Sequence, residues 1–137
     1  ALAVTSTVIA AGPARTQEAQ VTLVADIPFA FMVENTLLPA GTYEFSQLAG
    51  QVSEWSVADA KGLVKVFFST EPAEIMSPPR AYEVTFDVIG GKSFLTNIWL
   101  NGDKDGYFVA MTRSEKALIK QGMTPKKERV AIKKKGM

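Results

Sequence analysis

The sequence contains no cysteine and no histidine. A chain without cysteine has no disulfide, no thiol nucleophile and no cysteine-based zinc or iron–sulfur site. A chain without histidine lacks the commonest general base and the commonest metal ligand. Only carboxylates, lysine, serine and tyrosine are left for chemistry, so we expect a protein that is not an enzyme and that carries no cofactor and no metal.

Long apolar runs are missing as well. No stretch reaches the roughly 18 residues that a helix needs to cross a bilayer, and we expect no transmembrane segment. The 137 residues are enough for one domain with a core of its own. With 47% hydrophobic and 21% charged residues, the composition is typical of a globular domain rather than of a disordered chain.

Alternation of apolar and polar residues is the dominant pattern. It is clearest over 21–27, 82–88 and 94–100, and a period of two is typical of strands with one buried face. The stretches 59–62 and 90–91 are predicted hairpin turns, because glycine there tolerates positive φ. The pattern predicts about eight short strands and therefore an all-β fold, an antiparallel β-sandwich or open barrel with one short C-terminal helix.

Three local predictions accompany this fold. Residues 63–69 are apolar on both faces, which predicts a central or sandwich-core strand. Three prolines in 70–80 predict a loop, since proline donates no backbone hydrogen bond. A helix is predicted over 114–121, with Ser114 as its N-cap and Gly122 as its stop.

The first eleven residues form an apolar segment that a short linker joins to the rest of the chain. Leu2, Val4 and Val8 fall on one face of an extended strand, and Ile9 adds to its apolar character. Such a strand is suited to completing the sheet of another subunit, where backbone hydrogen bonds give affinity and alternate side chains give specificity. We therefore divide the chain into a candidate donor strand, a linker, a β domain and a basic tail, at residues 1–11, 12–18, 19–133 and 134–137.

Two other interpretations of this apolar segment stay open. It pairs with a strand of its own chain, or it is the end of a leader peptide with the small residues Gly12 and Ala14 near a cleavage point. An exposed apolar arm promotes aggregation of a monomer, so we expect the segment to pack against another surface.

Charge is distributed unevenly along the chain. Residues 1–112 hold six basic and twelve acidic residues, whereas residues 113–137 hold nine basic and two acidic ones. A solvated tail is the simplest interpretation of this asymmetry, and attraction between copies or binding to an anionic polymer or membrane surface are the functional ones. The C-terminal lysines have no aromatic residues among them and no binding motif, so we expect no nucleic-acid partner. The basic residues expected to contact a neighbouring copy are Lys126, Lys127, Arg129, Lys133, Lys134 and Lys135.

Two acidic patterns suggest chemistry and are better explained without it. Residues 101–106 match the first half of a calcium-binding loop. However, Thr112 stands where the bidentate acid belongs and a strand is predicted to follow, so a hairpin turn is the favoured interpretation. Glu83 and Asp87 share the polar face of one strand, which favours a solvated face over a glycosidase carboxylate pair.

A PFxF motif and an LPAGTY motif occur in the first half of the body, and a hairpin motif and a helix start follow them. The matching residues are Pro28, Phe29 and Phe31, then Pro39, Gly41 and Tyr43, then Val84, Phe86, Gly90, Phe94, Leu95 and Trp99, and finally Ser114 and Glu115. Over residues 21–121 these motifs resemble a family of small exported bacterial β-domain proteins of unknown function. The resemblance implies export and a compact β domain, and it supplies no activity. The chain departs from the family pattern at Asp87, where members often have a basic residue or histidine, and at Ser93, where they have tyrosine.

The apolar N-terminal segment and the charge asymmetry favour one function. We expect a secreted, pilus-like structural subunit that self-assembles into an extracellular filament or surface layer by donating residues 1–11 to a neighbour. The alternative is a monomeric secreted binding module for a glycan or a lipid-like ligand. Trp55 and Trp99 are candidates for an aromatic platform in such a module, although core or interface packing is the better interpretation of both.

Overall fold

The computed structural model describes residues 21–74, 82–100 and 105–135. Within these ranges almost all regular structure is extended, as the alternation predicts. The elements in chain order are β1 (Thr22–Ile27), β2 (Phe31–Val33), β3 (Thr36–Leu38), β4 (Gly41–Leu48), β5 (Gln51–Asp59), β6 (Val64–Ser69), β7 (Glu71–Glu74), β8 (Glu83–Ile89), β9 (Lys92–Trp99), β10 (Asp105–Phe108), α1 (Arg113–Lys120), β11 (Lys126–Ala131) and β12 (Lys133–Lys134).

The strands form two sheets, and the predicted all-β sandwich is confirmed. Sheet A has the order β12-β1-β4-β5-β6, and each neighbouring pair in it is antiparallel. Sheet B has the order β11-β8-β9-β10-β7, with the β2–β3 hairpin attached to β9. The described residues hold more strands than the eight expected, because the chain turns back at Glu34 (φ 53) to form β2–β3 and the C-terminal lysines form β11 and β12.

The core lies between the two sheets and is rich in aromatic rings. Phe31 makes edge-to-face contacts with Tyr43 at 5.3 Å and with Phe86 at 5.4 Å between ring centroids, which joins the two layers. Burying a side chain of this size contributes about 1.5–3 kcal/mol to folding. The largest side chains that are fully buried are Trp55, Phe31, Phe45, Phe86 and Phe94.

The predicted turns are confirmed, and their glycines adopt the backbone conformation that the prediction requires. Gly90 and Gly91 have φ values of 60° and 82°, as a two-residue hairpin loop between β8 and β9 demands. Gly62 has φ 86° in the turn between β5 and β6. The Asp59 side chain stabilises that turn by accepting hydrogen bonds from the backbone N–H groups of Lys61 at 2.9 Å and Leu63 at 3.0 Å.

The helix is present, but its N-cap is Thr112 instead of Ser114. The Thr112 hydroxyl accepts a hydrogen bond from the Glu115 N–H at 3.2 Å, and the Glu115 carboxylate accepts one from the Thr112 N–H at 3.1 Å. This reciprocal pair is a capping box, which satisfies two backbone donors at once. The predicted stop at Gly122 is confirmed, with φ 94°.

Two strand predictions are wrong for reasons of position. The run 63–69 was expected to be a central or sandwich-core strand, whereas β6 is an edge strand of sheet A. Residues 70–80 were expected to be a loop, whereas Glu71–Glu74 form β7 despite Pro72. Proline is tolerated there because β7 is also an edge strand, where one side of the backbone needs no partner.

In the part of the chain that the structure describes, no helix is long and apolar enough to span a bilayer. Helix α1 has eight residues and packs against β8. Leu118 in its last turn and Met123 beyond its end lie over Gly90 at the β8–β9 turn.

Gly106 is the glycine whose replacement the packing opposes most directly. It lies opposite Trp99 in the β9–β10 ladder, where a Cβ would overlap the indole ring and lie 2.9 Å from the Ile98 carbonyl oxygen. We expect Gly106→Ala to lower the free energy of unfolding by about 1–3 kcal/mol in urea denaturation. Gly41→Ala is the control, because its Cβ would meet the Tyr43 ring at 3.7 Å without strain. Equal losses for the two variants would contradict this account of Trp99.

Candidate assembly edge

A β-sandwich has strand edges, and an edge with unpaired backbone groups is a template for pairing with another chain. Sheet A ends at β12 and β6, and sheet B ends at β11 and β7. Natural proteins protect such edges by short length, by charge, especially lysine, and by proline. Among the described residues a fifth edge is β3, which pairs with β2 alone and is protected by its length of only three residues, although Leu37 on it is 66% exposed. The other four edges of this sandwich differ sharply in that protection.

Three of these edges are protected. Strand β12 consists of two exposed lysines. Strand β11 begins Lys-Lys-Glu-Arg, and all four of these side chains are exposed. Strand β7 has four residues and contains Pro72, which offers no N–H to an incoming strand.

Strand β6 is the unprotected edge, and we call it the assembly edge. It has six residues, Val-Lys-Val-Phe-Phe-Ser, of which one is charged. Two of its apolar side chains reach solvent, with Val64 44% and Phe67 60% exposed, and Leu63 just before the strand is 61% exposed. A long, apolar and exposed edge strand is the feature that predicts association with another strand.

Among the described residues β6 pairs with β5 alone, and part of its backbone faces away from that strand. The Thr70 N–H donates to the Ser53 carbonyl at 2.8 Å, so this residue turns its backbone groups toward β5. Because the direction of the backbone groups alternates along a strand, the N–H and C=O groups of Phe68 also point toward β5. Those of Phe67 and Ser69 point away from it. Their N–H and C=O groups are the ones that an added strand would meet.

A bulge aligns two apolar side chains on the same face of this edge. Val64 lies opposite Ala58 and Phe67 lies opposite Ser56, while Lys65 has no partner in the ladder. Since Ser56 and Ala58 are two residues apart on β5, Val64 and Phe67 occupy adjacent rows of one face.

The face that carries Val64 and Phe67 points away from sheet B, because Trp55 and Val57 on either side of Ser56 belong to the core. We call it the outer face of sheet A.

The charge at the assembly edge is neutralised locally. The Lys65 ammonium lies 3.6 Å from a carboxylate oxygen of Asp59. The backbone N–H of Leu63, more than any other group, lowers the pKa of Asp59, and the Lys61 N–H and the Lys65 charge act in the same direction. Asp59 is therefore ionised over the whole physiological range, and the edge presents mainly its apolar side chains.

The basic residues expected to reach a neighbouring copy are partly engaged within their own chain. Lys127 pairs with Asp87 at 2.8 Å, and Arg129 pairs with Glu83 at 3.4 Å. Lys135 pairs with Glu44 at 3.1 Å. The tail thus meets the acidic body of its own chain, because β11 lies beside β8 and β12 lies beside β1.

The three other predicted tail residues are exposed on the two edge strands. Lys126 begins β11, while Lys133 and Lys134 form β12. The boundary placed between residues 133 and 134 therefore falls inside a strand.

The remaining predicted residues divide into described and undescribed ones. Leu2, Val4, Val8 and Ile9 lie outside the described residues, as do the whole stretch 1–20 and residues 101–104 of the calcium-like turn. The described end of that turn enters β10, which is antiparallel to β9. Strand β6 lies among the described residues, whereas the donor strand 1–11 stays a sequence prediction.

Trp55 is not a surface platform. Its side chain is 0% exposed, stacks on Phe68 with ring centroids 6.4 Å apart and meets the Tyr107 ring edge-on at 5.2 Å. Both faces of a ring that is buried between two sheets are covered by other side chains. The interpretation of Trp55 as an aromatic platform for a ligand is therefore wrong. Trp99 is half-buried and covers Gly106.

The motif residues that carry the family resemblance have structural roles in the described region. Phe29 packs edge-on against Phe86 at 5.1 Å, and Phe31 and Phe94 are buried. The Tyr43 hydroxyl donates to the Pro39 carbonyl at 2.6 Å, and burial, followed by the Asp59 charge, raises the pKa of Tyr43 so that the donor stays protonated. Pro28 and Gly41 are exposed at strand ends.

A shallow cavity of about 400 Å³ lies between the β2–β3 turn and the start of α1. Its lining includes Glu34, Asn35, Met111, Thr112 and Arg113. None of its described lining residues is aromatic, so it offers a sugar ring no stacking surface.

Comparison with known proteins gives no match to a family model, to a curated protein or to a solved structure.

Proposed function

We propose that this protein is a secreted structural subunit that self-assembles into an extracellular filament or surface layer. In this proposal residues 1–11 of one copy add a strand to the assembly edge of the next copy. The observation that carries the proposal is the contrast between β6, which is apolar and unprotected, and the three protected edges β7, β11 and β12.

Strand addition supplies backbone hydrogen bonds for affinity and side-chain contacts for specificity. Outward backbone groups of Phe67 and Ser69 provide hydrogen bonds whatever the sequence of the partner. The exposed side chains of Val64 and Phe67 provide apolar area, which is worth about 25 cal/mol for each Å² removed from water. The alternate apolar residues of the donor, Leu2 and Val4, have the spacing of two that a strand in this position requires.

Donor and acceptor are different surfaces of the same chain, and this determines the symmetry of the product. A contact between unlike surfaces is heterologous, so it repeats from copy to copy and gives a ring or an open filament instead of a closed dimer. Every copy would offer one donor and one acceptor, and growth needs no second kind of subunit.

Attraction between the basic tail and the acidic body of a neighbour is a secondary contribution. Lys127, Arg129 and Lys135 already have partners in their own chain, which leaves Lys126, Lys133 and Lys134 for contacts between copies. Exposed ion pairs contribute about 0–1 kcal/mol each and weaken with salt. The proposed assembly therefore depends mainly on strand pairing.

Negative-stain electron microscopy of purified protein tests this proposal. We expect the full chain to form long polymers, whereas a version lacking residues 1–11 and the variant Phe67→Lys should remain small particles. Phe67→Lys acts because a lysine on an edge strand opposes pairing. Leu37→Lys is the matched control, since Leu37 is 66% exposed but lies on β3, away from the assembly edge.

Two results would contradict the proposal. Small, uniform particles from the full chain would exclude self-assembly and favour a monomeric binding module. Polymers that persist in the truncated chain would show that another surface joins the copies.

A further inference from the structure

We propose that a basic face on the outside of sheet B binds a linear acidic polysaccharide, a polymer that carries a carboxylate on successive sugars. The basic face consists of Arg113, Lys116 and Lys120 on α1 and of Lys127 and Arg129 on β11. This surface is separate from β6, so the inference goes beyond the proposed function and does not depend on strand addition.

Helix α1 lies over β8 on the side of sheet B that faces away from the core. Phe86 belongs to the core, and side chains alternate along a strand, so the next residue, Asp87, points outward. The Asp87 charge is close enough to raise the pKa of Glu115 on α1, and Leu118 lies over Gly90 at the end of β8. The helix therefore covers this part of the outer face of sheet B.

The solvent side of α1 carries three positive charges. Arg113, Lys116 and Lys120 follow one another at spacings of three and four, which places them on one side of a helix, away from the buried Glu115. All three are exposed, and they lie within about 10 Å along the helix axis. Within the described residues none of the three forms an ion pair. Their charges are therefore available to a ligand.

Strand β11 extends the basic face beside the helix. The ion pair of Lys127 with Asp87 places the Lys127 side chain on the outer face, and Arg129 lies two residues farther on the same side. The acidic residue between them, Glu128, lies opposite Phe86 in the ladder and so points to the other side of the sheet. It therefore does not interrupt the row of cations.

The carboxylates of this region lie beneath the cations. The Lys127 side chain is 47% exposed and that of its partner Asp87 is 12% exposed. The same order holds for Arg129 and Glu83, at 68% and 19%, and Glu115 is buried. An approaching molecule consequently meets the positive groups first, although the pairs themselves are neutral.

Glu34 is an acidic residue at one end of the basic face. It lines the cavity beside the start of α1 together with Arg113. A carboxylate there lowers the positive potential around Arg113. Lys116 and Lys120, farther along the helix, are therefore the residues whose charge a ligand meets with least competition.

The arrangement of the cations favours a polymer over a small anion. They lie side by side, three along about 10 Å of helix and two about 7 Å apart on β11, and do not converge on one point. Exposed ion pairs are individually weak, so they give useful affinity only when one ligand joins several of them. A chain with a charge on each successive unit satisfies that condition.

The basic face also lacks apolar anchors. Neither α1 nor β11 contains an aromatic residue, and the exposed rings of Phe67 and Phe108 lie on other strands, β6 and β10. A protein interface has an apolar core, a helix on a membrane buries an apolar face, and single-stranded nucleic acid stacks on aromatic rings. A hydrophilic polyanion such as an acidic polysaccharide needs none of these.

Binding of the full chain to immobilised polygalacturonate, measured by biolayer interferometry, tests this inference. We expect binding that weakens at least about tenfold between about 50 and 200 mM NaCl, because each cation that contacts a polyelectrolyte releases a condensed counterion. The methyl ester of the same polymer keeps the sugar chain and removes the charge, so it should not bind.

Lys116→Glu should weaken binding to polygalacturonate at least about tenfold and make the salt dependence shallower. Lys61→Glu is the matched control, because Lys61 is exposed in the β5–β6 turn, has no ion pair within the described residues and changes the net charge equally. It should change the affinity less than about twofold. Circular dichroism checks that both variants are folded, and Lys120→Gln provides a second, milder change on the same face.

Four results would overturn the inference. They are equal losses for Lys116→Glu and Lys61→Glu, equal binding of the methyl ester, tighter binding to phosphatidylglycerol vesicles or duplex DNA at the same charge concentration, and an absence of binding at low salt. Polymer formation is a separate readout, and a chain that binds polygalacturonate without polymerising would contradict the proposed function alone.

Discussion

Replacing Trp55 with alanine is expected to unfold a large fraction of the protein. The indole is 0% exposed and contacts rings from both sheets, Phe68 of β6 and Tyr107 of β10. Removing a buried aromatic ring of this size costs about 3–5 kcal/mol. That is a large part of the total stability of about 5–15 kcal/mol that a domain has.

Urea denaturation and circular dichroism measure this loss, and Trp55→Phe is the matched control. Phenylalanine keeps a ring between the sheets and also removes the indole Nε1, which is buried without a hydrogen-bond partner among the described residues. An unpaired buried donor costs about 1–3 kcal/mol, which offsets part of the lost packing. We expect Trp55→Phe to lose less than about 1.5 kcal/mol. A stable Trp55→Ala domain with impaired ligand binding would contradict the core assignment.

Replacing Glu115 with glutamine is expected to stabilise the protein at neutral pH by about 1 kcal/mol or more. The Glu115 side chain is 3% exposed, and its Oε2 has no hydrogen-bond partner in the described region. Burial is the main cause that raises the pKa of Glu115, and the nearby Asp87 charge raises it further. The hydrogen bonds from Thr112 lower this pKa and offset part of the rise. Glutamine keeps the capping box with Thr112 and removes the buried charge.

The pH dependence of this effect has a definite sign. A carboxyl group with a raised pKa in the folded state binds its proton more tightly there than in the unfolded chain. The stability that this provides is fully present below the ordinary pKa of a glutamate and is lost as the pH rises through the raised value. The gain from Glu115→Gln should therefore be absent in acid and grow toward neutral pH.

Thermal or urea denaturation across this pH range checks the prediction, with Glu128→Gln as control. Glu128 is exposed on β11, and its replacement changes the net charge by the same amount. The Asp87 charge that raises the pKa of Glu115 keeps its ion pair with Lys127 in both variants. A gain that is equal at all pH values, or shared by Glu128→Gln, would contradict the role assigned to the buried carboxylate.

The sandwich was predictable because its signal is local. A period of two and glycines at turns are properties of neighbouring residues, and β8, β9 and the Gly90–Gly91 turn follow from them directly. The helix shows the limit of this reasoning. Thr112 and Ser114 are both good N-caps, and the pairing of Thr112 with Glu115 three residues later was the signal that distinguishes them.

The assembly edge was not predictable from its own residues. A run that is apolar on both faces is typical of a central strand, and only the order of strands in sheet A shows that β6 has one neighbour. The same limit applies to the basic tail. Its charge was evident in the sequence, but the pairing of Lys127 with Asp87 depends on β11 lying beside β8.

The contact between the two ends of the described chain has a kinetic consequence. The Lys135 N–H donates to the Thr22 carbonyl at 2.8 Å, so the first described strand is completed by residues from the other end of the described chain. Contacts of such high sequence separation close large loops and slow folding. A chain that emerges from its N-terminus onward therefore keeps one side of β1 unpaired until its C-terminal lysines arrive, and the finished sandwich forms only after the entire domain has been released.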